Sequence, residues 1–262
     1  MNTNNPQPGD IGPSNPARKP LSAGQTDTLY KASKSMETIR HELTGRILLD
    51  YGLRAGELAH SFPTWIVEKR HPKTGKSGWA VEIPDGAKCY GGNKSAQQGN
   101  KTGADLHNTS DPCSGCVNRS YDDKDWVDDE FHKETPWHPK TSRSYQMRVW
   151  CIPKKSAEET ARLWKNFLKP DRQWPVTANT VNDDVTRIVD RANELAEEND
   201  DVEEIDRKVH AHALRHTFGC RLAAAGYEPT ARMNQLRHSS YEMALYYSQA
   251  WGLRHRDQIQ DS

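Results

Sequence analysis

Residues 210–248, HAHALRHTFGCRLAAAGYEPTARMNQLRHSSYEMALYYS, constrain this chain more than any other stretch. The run is helical, with marked breaks. Residues 217–225 are rich in helix formers, and Gly226 stands where a left-handed cap would end a helix. Pro229, after Glu228, suits the first turn of a second helix. Ser239 and Glu242 form a capping box for a third, which carries Tyr246 and Tyr247 and closes at Trp251-Gly252. These helices would display His212, Arg215, His238 and the tyrosine pair.

Those side chains suit attack on a phosphodiester. Such a reaction needs a nucleophile and a way to neutralise charge on the non-bridging oxygens. Arginine does the second task, because its guanidinium stays charged and donates two parallel hydrogen bonds. A tyrosine hydroxyl, with a free pKa of roughly 10, needs a base or positive surroundings to attack. Taken singly, a His-x-x-Arg is usually a solvated or structural pair, and a Tyr-Tyr pair is usually core. The joint spacing carries the signal.

That spacing resembles the catalytic motif of the tyrosine recombinases, or phage-type integrases. Their pattern is His-x-x-Arg, a Gly-His-Ser/Thr element, and a tyrosine nine residues beyond that second histidine. His212 and Arg215 fill the first part and His238 the second, so Tyr247 rather than Tyr246 matches the nucleophile. Arg237 stands where the family usually has glycine. Upstream, Gly52-Leu53-Arg54 followed by Glu57 resembles the family's first arginine motif, with Arg54 as the catalytic arginine and Glu57 orienting it.

The rest of the chain is compatible with that order. Residues 1–21 are rich in Asn, Pro and Gly and are expected to be a disordered tail, leaving 22–262 as the catalytic domain. Residues 25–50 read as a helix burying Ile39, Leu43, Ile47 and Leu48. Residues 64–67, 79–83 and 146–152 read as strands. Helices are predicted over 156–168 and 179–196. The fold expected is α+β, mainly α, with a small antiparallel sheet. In the family a lysine in a turn of this sheet serves as general acid. Lys140, in His-Pro-Lys-Thr, fits best, and Lys73, in the same tetrapeptide, is the runner-up.

Residues 85–137 form a polar insertion with Cys89, Cys113 and Cys116. Cys113-Ser-Gly-Cys116 is half of a zinc knuckle. Cys89 could be a third ligand of a structural zinc, and His107 or His132 a fourth; free thiols on a flexible loop are the other reading. Cys151 and Cys220 are expected to be packing residues.

Net charge is zero, but its signs are segregated. Residues 140–172 and 207–237 are basic, while 122–134 and 194–206 are acidic, so a basic groove is available for DNA. No apolar run suggests a membrane span or a signal peptide, and a cytoplasmic, reduced chain is expected.

The resemblance implies a site-specific recombinase that cuts and rejoins double-stranded DNA through a 3′-phosphotyrosine, integrating or excising a viral or other mobile element. Arg54, Lys140, His212, Arg215, His238 and Tyr247 would be its catalytic residues, with no cofactor for catalysis. The partners implied are a second and further copies on DNA, as dimer or tetramer, and an accessory DNA-bending protein. The family's N-terminal clamp domain is not expected within residues 1–21. A type IB topoisomerase-like relaxing enzyme and a silent DNA-binding module on the same fold are the alternatives.

Overall fold

The computed structural model describes residues 19–70, 75, 77–90, 112–117, 122, 124–152, 155–170, 172–238 and 241. The expected third helix of the opening motif, with Tyr246 and Tyr247, lies outside them, as do Lys73 and His107.

Residues expected to make one helix make two, α1 (Ala23–Ser35) and α2 (Ile39–Tyr51). The break follows from local chemistry. Thr38 takes extended backbone and its side chain caps α2 by accepting from the His41 amide, as Ser22 and Gln25 form a capping box on α1. Gly45 lets the two helices touch: a Cβ there would lie 2.1 Å from Ser33 Oγ. Ile39, expected inside, is exposed because it opens α2 beyond that contact. Leu21, the last residue of the expected tail, is buried in the core.

Helix α2 is the centre of the molecule. It packs against α1, α7 (Lys155–Phe167), α8 (Ala178–Glu198) and α9 (Ala211–Ala224). Leu43, Ile47, Leu48, Leu49 and Tyr51 are all fully buried, so α2 is apolar on several sides, as a core helix must be.

After α2 comes a five-residue helix, α3 (Ala55–Ala59), then a tight turn at Pro63–Trp65. Strands β1 (Ile66–Arg70), β2 (Ser77–Val81) and β3 (Val149–Trp150) form one antiparallel sheet in that order. Ile66 pairs with Val81 and Arg70 with Ser77; Ala80 pairs with Trp150. The expected third strand is shorter than its apolar run because α6 (Arg143–Gln146) takes its first residue. Between β2 and β3 the inserted segment carries the one-turn helices α4 (Ser114–Val117) and α5 (Asp129–Glu134). Its ends are joined by an antiparallel bridge between Ala87 and Trp137.

Helix α9 starts earlier than helix propensity alone suggests and ends at Ala224, with Ala225 as its C-cap and Gly226 at φ 77°. Helix α10 (Pro229–Leu236) opens with proline at its first position. Cys151 is half-buried beside β3, and Cys220 is buried on α9. No helix among the described residues is long and apolar enough to cross a membrane.

Candidate active site

Three helix ends meet at one place: the C-termini of α2 and α10 and the start of α3. Arg215, on α9, joins two of them. Its guanidinium is 1 % exposed and donates from Nη1 to the Gly52 carbonyl (2.5 Å) and from Nη2 to the Leu236 carbonyl. Carbonyls at helix C-termini lack intrahelical partners and carry partial negative charge, so one buried arginine satisfies two helix ends.

Gly52 explains the Gly-Leu-Arg triplet. It ends α2 at φ 57° and ψ 37°, and a Cβ there would sit 2.4 Å from the Phe218 ring of α9. Only glycine allows both the turn and the close approach. The chain then extends through Leu53 to Arg54, which starts α3 and points its guanidinium at Glu57. Arg54 donates from Nη1 to Glu57 Oε1 (2.6 Å) and to Ser144 Oγ (3.0 Å), and its backbone amide donates to Glu57 Oε2 (2.7 Å). The side chain keeps 21 % exposure, so it has a face for a ligand.

Glu57 also holds a second guanidinium, Arg237 Nη2, at 2.5 Å. Arg237 is fully buried and ends α10 in the left-handed region, φ 53°. The arginine at this position therefore adopts the conformation a glycine would. For an L-residue that costs about 1–2 kcal/mol, offset here by the charged contact with Glu57. Burial alone would raise the Glu57 carboxyl, but Arg237, Arg54 and Arg215 reverse this and hold it down at about 2.

His238 follows on the same turn, its amide donating to the Met233 carbonyl (3.0 Å). Burial, then the charges of Arg215, Arg54, His216 and Arg237, push its imidazole down to about 3. It is therefore neutral near pH 7, beside the positive charges of Arg215, Arg54 and Arg237. His212 lies one turn before Arg215, exposed, with its ring edge-on to buried His216 at 4.6 Å.

The structure thus brings together Arg54, Arg215 and His238, and places Glu57 against Arg54. Lys140 is exposed in the segment leading to α6, not in the turn between β1 and β2. Its neighbours reach the site: Ser144 through Arg54, and Arg143 through Asn234 of α10 (3.0 Å). Tyr247 lies outside the described residues.

Two predictions arise here. Glu57→Gln would leave Arg237 as a buried, uncompensated cation, a change that typically costs about 3–5 kcal/mol. A urea midpoint within error of wild type would contradict the two-arginine contact. His238 has a folded pKa below its ordinary 6.5. Between pH 6.5 and about 3 the unfolded chain therefore binds a proton that the folded chain refuses, and stability falls as pH falls through that window. The contribution is complete above pH 6.5. His238→Gln is expected to flatten the stability–pH slope there; an unchanged slope would mean that His238 is not held neutral.

Close by, a second group gathers: His60, Cys89, Cys113 and Cys116. One ligand-capable atom from each lies within 4.8 Å of all the others. The three cysteines expected to share a metal do converge. The histidine with them is His60, the C-cap residue of α3, rather than His132, which instead faces His138 at 3.2 Å. Neither His60 nor the Glu57–Arg237 contact was visible in the sequence, since both partners come from distant segments. His60 lies six residues after Arg54 in RAGELAH, a spacing with no metal-ligand signature.

Residues 131–251 match the phage integrase family model, a span that holds Lys140, His212, Arg215, His238 and Tyr247 but not Arg54. No curated protein matches the chain. Among solved structures, the Tn1549 transposon integrase with circular intermediate DNA aligns at 17 % identity over 89 % of this chain and 63 % of that one, TM-score 0.50. The same integrase with transposon right end DNA aligns at 15 % over 94 % and 68 %, TM-score 0.48. The XerA recombinase aligns at 14 % over 88 % and 60 %, TM-score 0.43. This chain thus spans between 60 % and 68 % of the length of these three.

Proposed function

We propose that this chain, whose residues 131–251 match the phage integrase family model, is a site-specific recombinase that breaks and rejoins double-stranded DNA of a mobile element, such as a viral genome. The observation that carries the reading is the meeting of Arg54 with Arg215 and His238, which come from far along the chain, with the buried Glu57 carboxylate beside the two arginines. A scissile phosphate would supply the anion that this positive pocket accommodates.

In this reading the Tyr247 oxygen attacks phosphorus and forms a 3′-phosphotyrosine as the bond to the 5′-oxygen breaks. Arg54 and Arg215 neutralise the non-bridging oxygens, and His238 donates a further hydrogen bond. Lys140 gives the leaving 5′-oxygen its proton, and His212 assists proton transfer or phosphate binding. The 5′-hydroxyl of a second strand then reverses the step. The phosphotyrosine keeps the energy of the broken bond, so rejoining consumes no nucleotide. Exchange needs two duplexes, hence two or four copies of the chain on DNA in the cytoplasm, with a DNA-bending protein as accessory. A structural zinc at Cys89, Cys113 and Cys116 completes the reading, outside the chemistry.

The target can be found by selecting, from a random nicked-duplex library, DNA that stays attached to the protein in SDS. A plasmid with two selected sites should yield exchanged products. Supercoil relaxation without exchange would assign a relaxing enzyme instead.

A further inference from the structure

We propose that His60, Cys89, Cys113 and Cys116 bind one zinc ion in a closed Cys3His site that fastens the inserted segment to the helix beginning at Arg54. The distances make the case. His60 Nε2 lies 3.4 Å from Cys89 Sγ, 3.7 Å from Cys113 Sγ and 3.3 Å from Cys116 Sγ. Zinc takes sulfur at about 2.3 Å and imidazole nitrogen at about 2.0–2.1 Å in a tetrahedron. The nitrogen–sulfur edges of such a tetrahedron are about 3.5 Å, which the three separations match. All three sulfurs are free thiols, none joined in a disulfide.

The surroundings support a structural site. His60 is 6 % exposed, Cys89 4 % and Cys116 3 %. His60 Nδ1 faces the Gly56 carbonyl at 2.8 Å, which fixes the proton on Nδ1 and leaves Nε2 to face the sulfurs. Metal-binding histidines are oriented by such an outer partner. The His60 ring stacks on Trp137 (5.3 Å between centroids, 19° between planes), beside the bridge that closes the neck of the insertion. Cys113 directly precedes α4 and Cys116 lies within it, with the Cys116 amide donating to the Cys113 carbonyl, as in a zinc knuckle. Soft thiolates with one imidazole in tetrahedral array favour zinc over hard, oxygen-seeking cations.

The ion would have a task in the fold. Helix α3 has five residues, too few to be stable alone. Arg54 stands at its start and His60 at its end, so a metal on His60 holds the far end of the arginine's helix. That consequence rests on the recombinase reading of Arg54; the metal site itself does not.

The test uses the full chain without DNA. Protein purified without chelator should contain about one zinc per chain by elemental analysis. Replacement by Co2+ should give the intense visible bands of a tetrahedral site and a thiolate-to-cobalt charge-transfer band. His60→Ala should weaken Zn2+ binding by at least about tenfold, the lower end of what losing even an outer-shell partner costs. His60→Cys should still bind one zinc and, as a four-thiolate site, raise the charge-transfer intensity by about a third. Stoichiometric iron instead of zinc, no bound metal, a cobalt spectrum without charge transfer, or His60→Ala binding Zn2+ as tightly as wild type would each overturn the proposal. Whatever DNA cleavage assays return, these readings stand apart from them.

Discussion

Exchange of Arg54 or Arg215 for lysine is expected to slow single-turnover DNA cleavage by roughly 10²–10³-fold, the usual effect of removing one donor aimed at developing charge, about 2.7–4 kcal/mol of barrier. Lysine keeps the positive charge but not the planar fork, so it should not rescue the rate. Affinity for duplex DNA should fall far less, because it is spread over many phosphate contacts. The two positions should differ in one respect. Arg54 is partly exposed and fixed by Glu57 and Ser144, so Arg54→Lys should leave the fold nearly intact. Arg215 is buried and satisfies the carbonyls of Gly52 and Leu236, so Arg215→Lys should also lower the unfolding midpoint. Cleavage and salt-matched binding titrations measured together decide it. Near-normal cleavage in both variants, or a loss of cleavage that only tracks lost binding, would remove both arginines from the phosphate site.

Much of this site could be read from residue order, because its parts are short local signals. Gly52-Leu53-Arg54 needs a left-handed glycine between a core helix and a polar turn, and the structure has one at φ 57°. Gly226 and Pro229 punctuate the C-terminal helices where turn chemistry demands. What could not be read depends on contacts between remote segments. Glu57 looked like a partner of Arg54 alone, yet its second oxygen binds Arg237, 180 positions away. Arg237 in turn looked like a mere departure from glycine, because its compensating carboxylate sits on another helix. His60 had no spacing to mark it, since the three cysteines that face it arrive from the insertion. The single helix expected over residues 25–50 failed for a local reason, the Thr38 cap, which apolar periodicity overrides when read alone.

The largest effect is expected at Tyr247, and it also tests the central claim most directly. Under the proposed mechanism, removing the hydroxyl removes the attacking atom, so no covalent complex should form, whereas Arg54, Arg215 and His238 keep their side chains. Tyr246 is the internal control, because only Tyr247 has the expected spacing of nine residues from His238. The measurement is the yield of SDS-resistant protein–DNA complex on a nicked suicide substrate of the selected target, for wild type, Tyr246→Phe and Tyr247→Phe. The account predicts trapping by wild type and by Tyr246→Phe, and none by Tyr247→Phe although it still binds the duplex. Trapping that survives in Tyr247→Phe and vanishes in Tyr246→Phe, or no trapping by the wild-type chain, would contradict it.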